Sequence, residues 1–287
     1  MVAGTGPVPA SQLTLDGMPR RLFACTPSKL AAFDCPRRYR MTYLDRPQPQ
    51  RGTPWAHNTL GATVHLSLAR WWDLPREQRT PARGADLVRR NWQTNGFRDG
   101  DQSMTWSGIA AQWVEQYLDE QVDADDEPVG VERTVSVPLD ALAVSGRVDR
   151  MDERGDEIVI VDYKTGRRPL TSDDARGSQA LALYVLGARR TLRRRCSRVE
   201  LHHLPTGQVA SFDHTDQSLA RHVARADETA ADIVTATDTL AAGADPDDVF
   251  PPRPAPSCSW CDFRHLCPQG QQASPELVAW SGLGELG

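Results

Sequence analysis

Residues 144–166 read VSGRVDRMDERGDEIVIVDYKTG, and the fold is decided there. Val144 and Val148 fall in a short segment suited to a strand, and Glu157-Ile158-Val159-Ile160-Val161-Asp162 is a nearly continuous apolar run of strand length. Such a run belongs at the centre of a sheet. Working upstream, Val129 and Val131, then Val135 and Val137, keep the same strand-like spacing. Before them lies a helical portion over 57–122, with helices expected around 57–74, 84–94 and 105–121 and a solvated acidic connection at Asp123–Glu127. Thr26-Pro27-Ser28 can cap an earlier helix through Leu30, Phe33 and Tyr39. Downstream, a helix is predicted at 173–190. Strands follow at Arg198–Leu204 and Val209–Asp213, separated by a turn at Pro205-Thr206-Gly207, and then a long helix from Asp216 to about Ala241. Helices, three strands, helix, strands and helix in that order predict an α/β core over 129–242 that carries a helical insertion.

The chain has 287 residues, 39% hydrophobic and 25% charged, within the range of globular proteins that bury a sizeable core. No apolar run is long enough to span a bilayer, and MVAGTGPVPASQLTLDG lacks the basic flank and apolar core of an export signal. The expectation is a cytoplasmic protein with no membrane partner. A net charge of −5 gives no global attraction to a polyanion, so any nucleic-acid surface must be a local patch. Of 33 basic residues only Lys29 and Lys164 are lysines, which makes each lysine informative, because an ammonium and a guanidinium differ in size, hydration and readiness to shift pKa.

Asp149 ends one predicted strand, and Asp162 and Lys164 end the next, two residues apart and therefore on one face. Gly166 lets the chain turn away. Two or three carboxylates holding Mg²⁺ or Mn²⁺ beside a lysine are the simplest device for hydrolysing a phosphodiester, since the reaction needs a cation on the scissile oxygens and an activated water. Taken alone, an Asp-x-Lys pair is more often a surface ion pair.

The context changes that balance. Gly61-Ala62-Thr63-Val64-His65, Gly146 to Asp152, and Asp162-Tyr163-Lys164-Thr165-Gly166 resemble, in order, three motifs of the RecB-type nucleases of the PD-(D/E)XK superfamily. The resemblance runs from about Ser28 to Cys267. It implies a restriction-endonuclease-like mixed-sheet core flanked by helices, with His65, Asp149 and Asp162 around Mg²⁺ or Mn²⁺ and Lys164 orienting or activating water. The family's Q-x-x-x-Y helix is altered here: Gln179 and Tyr184 are five residues apart, about 140° around a helix rather than about 40°. Both are kept as candidate DNA or active-site contacts, beside their equal standing as helix surface and core.

Six cysteines stand at 25, 35, 196, 258, 261 and 267 in a chain too large to need disulfide staples, so metal ligation is the better expectation. Cys258, Cys261 and Cys267 need a fourth partner, and spacing alone leaves zinc, an iron–sulfur cluster or a redox pair open. Cys35, followed by Pro36, is favoured over Cys25, and Cys196 is expected to be an unligated thiol. The segment Ser28–Tyr39 resembles the N-terminal half of the cluster motif in iron–sulfur RecB-family nucleases, including AddB-type exonuclease domains and CRISPR-adaptation nucleases. That resemblance implies a [4Fe-4S] cluster on Cys35, Cys258, Cys261 and Cys267, a clasp joining the N- and C-terminal segments, with zinc as the alternative. The cluster would staple a loop of more than 200 residues.

The expected organisation is a flexible lead-in over 1–20, one nuclease domain over 21–270 with the clasp at 258–267, and a C-terminal tail over 271–287. Arg37, Arg38 and Arg40, and Arg167 and Arg168, are candidate phosphate contacts. The arginines of 189–195 read as a solvated face, and Trp55, Trp106 and Trp260 as core before base-stacking platforms. The resemblance points to an exonuclease acting on single-stranded DNA or DNA ends in repair or recombination. No G-x-x-x-x-G-K-[ST] loop occurs, so processive resection would require a separate helicase. The competing readings are a catalytically weak DNA-binding iron–sulfur scaffold and a zinc-clasped hydrolase of other substrates.

Overall fold

In the computed structural model, which describes residues 22–284, a short strand β1 (Phe23–Cys25) leads into two small helices, α1 (Pro27–Ala32) and α2 (Pro36–Tyr43). The expected lead-in over 1–20 lies outside the described residues. The predicted Thr26 cap is present, its Oγ1 accepting from the Lys29 backbone N–H at 3.1 Å. The single helix predicted through Tyr39 is nevertheless two, because Pro36 forces the residue before it out of the helical region. Cys35 accordingly sits extended at φ −126°, ψ 107°.

The helical portion follows as α3 (Ala56–Trp72), α4 (Pro81–Asn91) and α5 (Gly100–Gln121). The last two start earlier than apolar spacing predicts, at the side-chain caps Thr80 and Asp99. Then come β2 (Gly130–Pro138), β3 (Leu142–Arg154) and β4 (Glu157–Lys164), the three strands expected, followed by α6 (Ser172–Gly177) and α7 (Gln179–Leu192). The helix predicted over 173–190 is therefore also broken. Ser178, at φ −70°, ψ 106°, ends one piece and caps the next by accepting from the Leu181 N–H. Strands β5 (Arg195–His203) and β6 (Gln208–Asp213) precede the long α8 (Asp216–Ala241), a single-turn α9 (Pro246–Val249) and α10 (Pro268–Ala273).

The sheet is mixed and flanked by helices. β2 and β4 run antiparallel to β3, β1 and β3 are parallel, β4 and β5 are parallel, and β6 is antiparallel to β5. The parallel β4–β5 pair requires a crossover, and α6 and α7 supply it. Alternate residues of β4 bury on opposite faces: Val159, Val161 and Tyr163 meet α3 and α5, and Ile158 and Ile160 meet α7 through Leu181, Ala182 and Val185. Burial on both faces is why that strand reads as an unbroken apolar run. A third cluster forms where Phe250 stacks on Tyr39 and meets Phe33 edge-on, tying the chain after α9 to α1 and α2.

The register also creates a fork. β2 pairs with β3 from Ala143 to Met151 along one edge. On the other edge, β1 takes Leu142 to Val144 and β4 takes Arg150 to Arg154, leaving 145–149 free between them. Beyond Val161, β4 has left β3 but keeps β5 as partner through Lys164. The middle of β3, with Asp149, and the end of β4, with Asp162 and Lys164, thus splay around an opening; Asp149 does not end its strand as expected, because β3 continues to Arg154. Residues 271–284, expected as a tail, return to the core: the Ala56 N–H at the start of α3 donates to the Ala279 carbonyl at 3.0 Å, and Leu283 is buried beside that helix.

Candidate active site

At the fork, Asp149 turns its carboxylate between the separating strands, and its Oδ2 accepts from the Tyr163 backbone N–H at 2.9 Å. His65 reaches the same atom from α3, with Nδ1 3.2 Å from Asp149 Oδ2, while Nε2 lies 3.0 Å from the Tyr163 carbonyl oxygen. That carbonyl can only accept, so Nε2 carries the proton and donates, leaving Nδ1 facing the carboxylate. A metal-binding histidine characteristically has its second nitrogen fixed in this way by a backbone carbonyl. Gly61 explains how α3 comes so near: a Cβ there would stand 3.2 Å from Thr165 Oγ1, in the loop just after Lys164.

Asp162 and Lys164 form an ion pair, and nothing else donates to Asp162 Oδ2. Burial, with the Asp149 carboxylate adding to it, holds the Asp162 carboxyl above the ordinary carboxylate range against the pull of Lys164. His65 is shifted up as well: burial acts to lower it, but the hydrogen bond that protonated Nδ1 donates to Asp149 and the charges of Asp149 and Asp162 outweigh that. The loop after Lys164 is pinned, since His203 Nε2 lies 2.6 Å from the Gly166 carbonyl and Leu204 N–H donates to the Lys164 carbonyl.

The expected metal residues are His65, Asp149 and Asp162. Among the described residues, the group of three or more donor side chains whose atoms all lie within 4.8 Å of one another is His65, Glu132 and Asp149, and Asp162 stands beside it, paired with Lys164. Glu132 was missed by sequence reading because only strand register reveals it: with Val131 opposite Arg150 and Arg133 opposite Val148, Glu132 faces Asp149 across β2 and β3. Burial raises its carboxyl above the ordinary value, an effect opposed by Arg147 and reinforced by Asp149. These groups line a cleft of about 620 Å³, bounded also by Gly61, Leu66, Gly146, Arg147 and Tyr184.

Tyr184 enters this cleft through Gly146, where any Cβ would collide with its ring at 2.2 Å. Gln179 does not join it. At the first turn of α7 its side chain donates to the His222 carbonyl at 3.4 Å, so the five-residue spacing separates the two. Arg168 is engaged by Asp174, while Arg167 lies beside the C-terminal turn at Gly284. Arg37 and Arg40 share Asp247, and Arg38 donates to the Ala31 carbonyl. Within 189–195, Arg189, Arg194 and Arg195 pair with Asp216, Glu153 and Asp156, which fits a solvated face.

Cys35, Cys258, Cys261 and Cys267 line one small cavity of about 30 Å³, with Arg37 Nη1 3.8 Å from Cys267 Sγ. No three of these thiols lie within 4.8 Å of one another. Cys25 is buried in the core beside β3, its thiol pushed up to about 11 by burial, and buried Cys196 is pushed up to about 12. Neither belongs to the four.

The sequence matches the PD-(D/E)XK nuclease superfamily over residues 24–268, and the chain belongs to that superfamily. Among solved structures it is similar to a provisionally named exonuclease from Eubacterium rectale, 10% identical with a TM-score of 0.44, over 71% of this chain and 77% of that one. No curated protein matches it. Among the described residues no helix is long and apolar enough to cross a membrane.

Proposed function

We propose that this chain is a metal-dependent deoxyribonuclease of the RecB type, an exonuclease that acts on single-stranded DNA or DNA ends in cytoplasmic repair or recombination. The observation that carries the reading is the convergence of His65, Asp149 and Glu132 beside the Asp162–Lys164 pair where β4 parts from β3. His65 through Nδ1, Asp149 and Glu132 would hold Mg²⁺ or Mn²⁺, with Asp162 adjacent. The donor set fits: it mixes carboxylate oxygens with an imidazole whose other nitrogen is already anchored. Such a cation supplies Lewis-acid polarisation of the scissile phosphate and an acidified water. Lys164, partly exposed and paired with Asp162, would donate to a phosphate oxygen or to the attacking water.

We further propose that Cys35, Cys258, Cys261 and Cys267 hold a [4Fe-4S] cluster. What supports a shared ligand is that all four cysteines line one cavity. Any processive resection would come from a separate helicase.

The test is Mg²⁺- and Mn²⁺-dependent degradation of end-labelled single- and double-stranded DNA by anaerobically purified protein, beside Asp149→Ala and Lys164→Ala. The wild type is expected to degrade DNA from ends, and each variant to lose at least about a hundredfold of that rate. Iron-replete wild-type protein that leaves every substrate intact would instead make the chain a DNA-binding scaffold.

A further inference from the structure

A cleft meant for a polyanion has to offset its own carboxylates. Here Glu132 and Asp149 line the cleft with Asp162 adjoining, and among the lining residues Arg147 is the sole arginine or lysine. Arg147 precedes Asp149 by two on β3, so both project from one face of the strand. Its Nε lies 2.5 Å from Glu132 Oε2, and its side chain remains 70% exposed. The two are diagonal neighbours across β2 and β3, close enough for long side chains to meet.

Building on the nuclease reading above, we propose that Glu132 and Arg147 work as one unit, in which Glu132 donates to the cation site and positions Arg147 as the grip on a phosphate of the substrate strand. A guanidinium is a rigid fork. With Nε engaged by Glu132, its orientation is set while the terminal Nη groups stay available for paired hydrogen bonds to a phosphate. Glu132 meanwhile lies within 4.8 Å of His65 and Asp149 donors, so the carboxylate that orients the grip also belongs to the cation site. The substrate phosphate is thereby registered against the cation by two adjacent residues on paired strands.

The experiment uses the full chain with Glu132→Gln, Glu132→Asp, Arg147→Ala and Arg147→Lys, each checked for an unchanged melting curve. Mn²⁺ binding is followed by the electron paramagnetic resonance of free Mn²⁺. Binding of a fluorescent single-stranded oligonucleotide is followed by anisotropy in Ca²⁺ over a salt series. Arg147→Ala is expected to weaken oligonucleotide binding about tenfold and to reduce the slope of log K against log salt by about 1, as one lost phosphate contact should. Arg147→Lys should keep the slope but not the full affinity. Glu132→Gln is expected to weaken Mn²⁺ binding by about tenfold or more, and Glu132→Asp serves if the glutamine variant folds poorly. Wild-type slope and affinity in Arg147→Ala, or wild-type Mn²⁺ binding in the Glu132 variants, would overturn the proposal while leaving the nuclease standing. Wild-type protein that cuts no DNA, with Asp149→Ala binding Mn²⁺ as well as it does, would instead bring down the nuclease reading itself.

Discussion

Asp149 and Arg150 are successive residues of β3, and the clusters they enter differ in how completely their polar groups are satisfied. Arg150 is buried, donating to Asp152 at 2.8 Å and to the hydroxyls of Tyr117 and Tyr163 at 3.3 and 3.5 Å, with the Trp72 ring 5.4 Å away. Next to it, buried Glu200 accepts from Arg154, Arg198 and His202, and burial of that carboxylate is outweighed by these donors, which hold its carboxyl well below the usual range. The buried donors of this cluster left over are Arg150 Nε and Trp72 Nε1, while every carboxylate in it is engaged. On the Asp149 side, carboxylates crowd one another, and Asp162 Oδ2 has only Lys164. A network whose carboxylates are all engaged by donors holds structure, whereas one rich in unused acceptors is available to a cation. The two meet at Tyr163, whose ring packs with the Arg150 cluster while its backbone N–H and carbonyl position Asp149 and His65.

The largest expected effect comes from breaking the saturated side. Arg150→Ala removes a buried guanidinium from Asp152 and from the Tyr117 and Tyr163 hydroxyls, leaving Asp152 with Arg154 alone at 3.2 Å, and costs about 3 kcal/mol, lowering Tm by on the order of 10 °C. Asp149→Asn keeps an acceptor for the Tyr163 N–H and relieves carboxylate crowding, and is expected to change stability by less than about 1 kcal/mol. Equal losses of Tm in the two variants would erase the distinction between the clusters.

A smaller effect, opposite in sign on the two sides, is expected from the histidines. His65 is raised above its ordinary value, so its stabilising charge is fully present below about pH 6.5 and lost as pH rises through its folded value. His202 is lowered, chiefly by burial, with Nδ1 taking a hydrogen bond from Tyr117 and Nε2 donating to Glu200. Its contribution is present above about pH 6.5 and lost as pH falls through its folded value. In metal-free protein, His65→Gln should therefore lower Tm more at acid than at alkaline pH, and His202→Gln the reverse. Thermal melts from pH 5 to 9 would reveal either pattern, and parallel curves would refute the assignment. The smallest effect is reserved for neither cluster: removing the exposed Arg194–Glu153 pair by Arg194→Ala should leave the midpoint of a chemical denaturation series where it is in the wild type.

Much of this was legible in sequence because it followed from period and local chemistry. The strands around Asp149 and Asp162, the long α8 and the cap at Thr26 are signals carried within a few residues of one another. The breaks at Cys35 and Ser178 were hidden because apolar spacing runs through them, although Pro36 announced the first. Glu132 was hidden for a different reason. Its partner Asp149 is 17 positions along the chain, and no local pattern states which residue of β2 will stand opposite it. The buried cluster around Arg150 and Glu200 was missed likewise, since charged residues in strands read as solvent-facing until a second layer of helices is laid over them.

Glu132 holds its backbone in the left-handed region at φ 47°, within a strand, where a side chain costs on the order of 1 kcal/mol or more. Glycine would relax that residue and asparagine would ease it. Selection of variants for heat resistance alone should drift at this position toward the small or amide residue, while selection for cation uptake should restore the carboxylate. The two selections would pull one codon in opposite directions.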